Sequence, residues 1–140
     1  MSGRDTGTGG VLESMVLPAL QKGGYSYSKQ VHVGARPGGG KHKVDVVAQK
    51  GAKEFLISLK WQQVGGTAEQ KVPFEVICLL EAVTEGKGRY DKAYVVLGGS
   101  GWTLRNFYIN KGLEKHIKCG GLVQVVGLED FVAIANKGKL

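Results

Sequence analysis

Cysteine is scarce in this chain. Cys78 and Cys119 are its two, too few for a disulfide framework, and no CxxC or HxxxH spacing accompanies them to form a zinc site. They read as free thiols in a reducing compartment, Cys78 on a helix. Long apolar runs are also missing. The longest, such as VICLLEAV, fall well short of the roughly 18–20 residues of a membrane span, and the N-terminal MSGRDTGTGG has no apolar signal core. These absences set the expectation of an intracellular protein, cytoplasmic or nucleoid-associated, without a membrane partner. Acidic residues are few as well: 12 Asp and Glu stand against 19 Lys and Arg, a net charge of +7 and a pI near 9.5. Such an excess attracts polyanions through long-range field and counterion release, which makes nucleic acid the first partner to consider.

What is present organises into one α/β domain. With 140 residues, 42% of them hydrophobic, the chain can bury one core but not two independent ones. Residues 1–9, polar and glycine-rich, read as a flexible arm, and residues 10–140 as the domain. VLESMVLPALQK has helical spacing and ends at Gly23 and Gly24, with Pro18 as a candidate kink. YSYSKQVHVGA reads as a first strand on which Tyr25 and Tyr27 pack against the sheet, and ARPGGGKH as a flexible loop. KVDVVAQ alternates, with Val44, Val46 and Ala48 on one face and Asp45 and Val47 on the other. KGAK turns the chain into EFLISLKWQ, a hairpin partner with Phe55, Ile57, Leu59 and Trp61 on its apolar face. Thr67 opens a long helix to about Thr84. AYVVLGG, LRNFYINKGLEKHIK, GLVQVVG and LEDFVAIANK then give strand, interrupted helix, strand and helix. A hairpin combined with later strand–helix units implies a mixed sheet flanked by helices, in the order αβββαβ followed by αβα.

The second hairpin strand carries a polar row, Ser58, Lys60 and Gln62, on one face, and the hairpin brings Asp45 beside it. The plain reading is an ion pair between Asp45 and Lys60, common and weak at a surface. A second carboxylate argues for more. Projected at 100° per residue, the long helix places Glu69 at the centre of its apolar arc with Val72, Val76 and Leu79, so Glu69 points toward the sheet, whereas Glu75 and Glu81 project outward. Glu13 lies at the edge of the apolar arc of the first helix. Carboxylates gathered beside a lysine suit Mg²⁺, or Mn²⁺, together with a substrate phosphate: the cation activates water and the amine steadies charge at phosphorus. Basic side chains at Arg36, Lys41 and Lys43 enter the strand that bears Asp45, and Arg105 follows the GGSGW segment; these are the candidate contacts to a DNA backbone. GGSGW itself, lacking a Walker lysine, reads as a turn rather than a phosphate cradle.

Asp45, the Ser58-Leu59-Lys60 triplet, the preceding Glu13 and the order of elements together resemble the PD-(D/E)XK nuclease superfamily, including its small Holliday-junction resolvases. The resemblance implies a restriction-endonuclease-like core, with Asp45 and the Leu59 carbonyl as metal ligands, Lys60 serving the attacking water and Gln70 supporting the site; Gln62, from the polar row, is a further candidate beside it. Ser58 departs from the pattern, since it occupies the acidic position of the motif. Some restriction enzymes of the superfamily show S-x-K with the carboxylate moved to the following helix, a part open to Glu69 or Glu75, and the projection favours Glu69. The function implied is a Mg²⁺-dependent DNA endonuclease, acting on duplex or branched DNA as a homodimer. A catalytically silent nucleic-acid-binding module on the same scaffold is the alternative.

Overall fold

The structure, a computed structural model, describes residues 8–119 and 121–140. Of the expected N-terminal arm, residues 1–7 lie outside the described residues, and Thr8 already opens a helix. That helix is continuous but not uniform: α1 (Thr8–Val11), a π-helical turn (Leu12–Val16) and α2 (Leu17–Lys22), with Pro18 accommodated in the first turn of α2. Then follow β1 (Ser26–Ala35), β2 (Lys41–Lys50), β3 (Lys53–Trp61), α3 (Ala68–Glu85), β4 (Lys92–Gly98), α4 (Arg105–Ile109), a 3₁₀ turn (Gly112–Lys115), β5 (Val123–Gly127) and α5 (Leu128–Asn136). The strands lie in sequence order in a five-stranded sheet. β1, β2 and β3 are antiparallel, while β3, β4 and β5 run parallel through helical crossovers. Among the described residues no helix is long and apolar enough to cross a membrane.

Each face of the sheet is covered by helices, as buried parallel strands require. On one face Leu12, Val16 and Leu20 of the N-terminal helical run and Phe131 of α5 pack on Val46, Phe55, Ile57 and Tyr94. Tyr25 joins this core edge-on to Phe55, with ring centroids 6.0 Å apart, and its hydroxyl accepts the Leu140 N–H. On the opposite face Val72, Val76 and Leu79 of α3 pack on Leu56, Val95 and Leu97. Cys78 and Cys119 are both buried and free, and burial raises both thiol pKa values.

β2 does not keep one face along its length. Val44 packs under α3, whereas Val46 and Ala48 belong to the opposite core and Val47 to the α3 side. Residues two apart on a regular strand share a face, so β2 reverses its facing at Asp45. β1 is irregular at the same level: Gln30, between the pairs Lys29–Val46 and Val31–Val44, has a positive φ of 53°. The β2–β3 ladder ends at Val46–Ile57. Beyond that pair the strands part, which opens a cleft floored by β2 and β3 and walled by α3.

The segment after β4 closes the cleft's far end. Gly101 donates its N–H to the Gln62 carbonyl (2.8 Å), and the Gln62 side-chain amide donates to the Gly101 carbonyl (2.8 Å). GGSGW is therefore a docked loop, held against the exit of β3 rather than flexible. Gly99 makes the docking feasible: its φ is +92°, and a Cβ there would stand 2.4 Å from the Gln62 carbonyl oxygen. Gly99→Ala is expected to destabilise the protein by about 2 kcal/mol or more, combining left-handed strain with overpacking, and thermal denaturation checks it.

Candidate active site

Ten residues line the cleft, among them Arg36, Lys43, Asp45, Ser58, Leu59, Lys60, Lys71 and Glu75, around a volume of about 340 Å³. Asp45 is fixed at its floor, where its Oδ2 accepts the Leu59 N–H at 2.7 Å. That amide lies beyond the last β2–β3 pair, so a side-chain oxygen takes the place of the missing ladder acceptor. Burial raises the Asp45 pKa, opposed by the Leu59 N–H and by the Lys60 charge, while the neighbouring Glu75 adds to the rise. A bound cation would relieve that desolvation, which is the environment expected of a metal-binding carboxylate.

Glu75 supplies the second carboxylate. Its Oε2 lies 3.2 Å from His42 Nε2, and its Oε1 lies 3.9 Å from Lys60 Nζ. Burial works to raise its pKa, but the His42 hydrogen bond and the Lys60 charge, with the Ser58 hydroxyl assisting, outweigh it and leave the pKa lowered. The serine that breaks the acidic motif is thus short enough to leave room above β3, and a helix carboxylate occupies that room. His42 begins inside β2, not in the expected loop, and is 1% exposed with its Nδ1 unpartnered. Its other nitrogen orients Glu75.

Glu69 is directed elsewhere. Thr103 N–H, Thr103 Oγ1–H (2.7 Å) and Leu104 N–H (2.6 Å) all donate to its carboxylate. The Leu104 N–H leads, with Thr103, in lowering its pKa. The expectation that Glu69 joins Asp45 is therefore corrected: its oxygens are saturated by the loop entering α4. The projection was sound about direction, since Glu69 is 8% exposed, but the neighbour it meets is a loop rather than the polar row. Pro73 anchors the same junction. Without an N–H of its own it leaves the Glu69 carbonyl unpaired in α3, and the Tyr108 hydroxyl donates to that carbonyl at 2.6 Å.

The remaining expected residues divide. Arg36 and Lys43 line the cleft with Lys60 and Lys71, so four cations face two carboxylates there. Lys41 is exposed at the start of β2, outside the cleft lining, and Arg105 lines an adjoining groove. Gln62 is buried, but it holds the docked loop instead of the cleft, and Gln70 is exposed on α3. Glu13 also lies outside the cleft lining: it pairs with Lys29 at 2.6 Å, both side chains largely exposed. Leu59 buries its side chain in the core below and offers the cleft its backbone. Sequence reasoning passed over Lys71, gave His42 only a place in the glycine loop, and ranked Glu75 behind Glu69. The available signal for Glu75 was Ser58 itself, whose small side chain leaves a gap only an overhead residue can fill.

A family model for the PD-(D/E)XK nuclease superfamily domain matches residues 4–139. The chain belongs to the PD-(D/E)XK nuclease superfamily. Its mixed sheet with flanking helices is the restriction-endonuclease-like core of that superfamily. No curated protein gives a significant sequence match. Among solved structures, one titled as a protein of unknown function, AF1548, is similar at 17% identity and a TM-score of 0.49, over 80% of this chain and 54% of that one. The chain thus spans about half the length of that protein. Nucleases of the PD-(D/E)XK superfamily generally use divalent metals. Among the described residues no three His, Cys, Asp or Glu side chains gather as a metal cage; Asp45 and Glu75 line one cleft beside the Leu59 backbone, and carboxylate and carbonyl oxygens are the donors a hard divalent cation takes.

Proposed function

We propose that this chain is a divalent-metal-dependent DNA endonuclease whose chemistry is carried by Asp45, Glu75 and Lys60. The convergence of those three groups in one basic cleft is the observation that supports it. Asp45 and Glu75, with the Leu59 carbonyl, are the residues that would hold a Mg²⁺ or Mn²⁺ ion. Such an ion supplies Lewis acidity and a more acidic water. The chain's own contributions are distinct. Arg36, Lys43 and Lys71 draw the DNA backbone toward the cleft and orient the scissile phosphate. Lys60, next to Glu75, donates a hydrogen bond to the attacking water or to the charge developing at phosphorus. His42 keeps the Glu75 carboxylate turned inward.

The test is incubation of the purified protein with supercoiled, linear and branched DNA, with and without Mg²⁺. Lys60→Ala is expected to lower cutting by about 10²–10³-fold while DNA retention in a mobility-shift assay stays nearly intact. Retention without cutting by the unaltered chain would instead favour the silent binding module.

Cutting two strands calls for two such clefts, which a two-fold dimer supplies. Leu104 and Phe107 at α4 are 44% and 41% exposed, and Phe74 and Ile77 of the adjacent α3 are 46% and 37% exposed. We propose this face as the dimer contact. Phe107→Glu is expected to convert a dimer to a monomer in light scattering, without loss of helical signal.

A further inference from the structure

A second groove adjoins the cleft. Trp61, at the end of β3, lines both. Beyond it a space of about 500 Å³ is bounded by Trp61, Trp102, Met15, Arg105 and Glu129. Both indoles are set by the same glycine. The Trp61 ring lies 2.8 Å from where a Cβ of Gly98 would stand, and Trp102 donates its indole N–H to the Gly98 carbonyl at 2.7 Å. Each is partly exposed, and among the described residues neither pairs with another aromatic ring. Trp61 and Trp102 each rest on a core on one side and stay partly exposed on the other; flanked by an exposed Met15 and an Arg105 outside every ion pair of the described residues, their exposed parts form a surface that takes a flat aromatic ligand. Glu129 disfavours phosphate at that wall, so a base rather than the backbone fits the groove.

We infer that the Trp61–Trp102 groove is a stacking subsite for an unpaired base of the nucleic acid whose phosphate occupies the Asp45 cleft. The inference rests on the nuclease reading for its substrate and adds the class: DNA with an unstacked nucleotide beside the cut, at a strand end, flap or branch. A base inside a continuous duplex has both faces covered by its neighbours and cannot enter. Sequence tolerance follows, because every base offers a face to an indole.

Trp61 and Trp102 are the two tryptophans of the chain, so intrinsic fluorescence reports the groove directly. The Lys60→Ala chain, titrated with a short oligothymidylate and with a closed blunt duplex, is expected to be quenched by the single strand at a concentration at least about tenfold lower. Trp102→Leu should weaken the single strand roughly tenfold and spare duplex retention, and Trp102→Phe should restore most of the loss. If Trp102→Leu does not fold, Met15→Glu, on an exposed position of the same groove, should weaken the single strand alone. Equal quenching by the duplex, or unchanged single-strand affinity in these variants, overturns the subsite. Cutting without quenching overturns it while leaving the nuclease reading, and quenching without cutting does the reverse.

Discussion

Glu75→Gln is expected to lower cleavage by at least about a hundredfold, while Glu69→Gln leaves the chemical step nearly unchanged and lowers the thermal midpoint. The two glutamates lie six residues apart on one helix and differ in what surrounds them. Glu75 faces Lys60 and His42 over Ser58, so removing its charge removes one of the two anionic ligands proposed for the cation and the partner of the lysine. Glu69 instead satisfies two backbone N–H groups and a hydroxyl at the loop entering α4. A neutral amide accepts those bonds less strongly. The pH dependence separates them further. The Glu69 pKa is lowered by folding, so its contribution is present above the ordinary carboxylate pKa and is lost as pH falls through the folded value. Glu69→Gln should flatten that acid-side loss. Cleavage at saturating Mg²⁺, single-turnover kinetics and melting curves between pH 3 and 7 measure all three effects. Equal activity loss in both variants would return Glu69 to the site.

Asp45→Asn is expected to abolish cutting and yet raise the thermal midpoint in the absence of metal. Burial holds the Asp45 pKa up, so the folded state retains a proton that the unfolded state has already released. Stability therefore falls as pH rises from the ordinary carboxylate pKa through the raised folded value, and at neutral pH the charged group opposes folding. Asparagine keeps an acceptor for the Leu59 N–H while removing the charge. The stability gain should vanish at low pH, where aspartate is neutral too. Mg²⁺ should stabilise the unaltered chain and not the variant, because binding to the native state alone raises stability. A lower midpoint for Asp45→Asn at neutral pH would mean that Lys60 and the cleft cations already compensate the carboxylate.

Much of this was legible in the residues. Period-two alternation identified β3, with Ser58 and Lys60 on the face opposite Phe55, Ile57 and Leu59, and the observed cores agree. Asp45 beside that row followed from the KGAK turn. The face of β2 did not follow, because alternation assumes a regular strand and β2 reverses at Asp45, opposite the left-handed Gln30. Glu75 ranked behind Glu69 for a related reason. A helical projection ranks positions against one apolar centre, but α3 packs over a sheet whose far end is a polar gap, so a residue off that centre becomes its wall. His42 looked like a loop residue because three glycines precede it, whereas β2 begins before it and buries it.

Local sequence sufficed for the order of helices and strands, the basic balance and the placing of Asp45 beside the Ser58–Lys60 row, since these depend on periodicity and on one short turn; the ion pair itself differs, because Lys60 meets Glu75 and Asp45 takes the Leu59 N–H. Which glutamate faces the lysine, where GGSGW docks and how both tryptophans meet at Gly98 were decided by the packing of α3 and the β4 loop over the sheet. Contacts between segments tens of residues apart depend on strand splitting and helix placement, and neither is written in any local pattern.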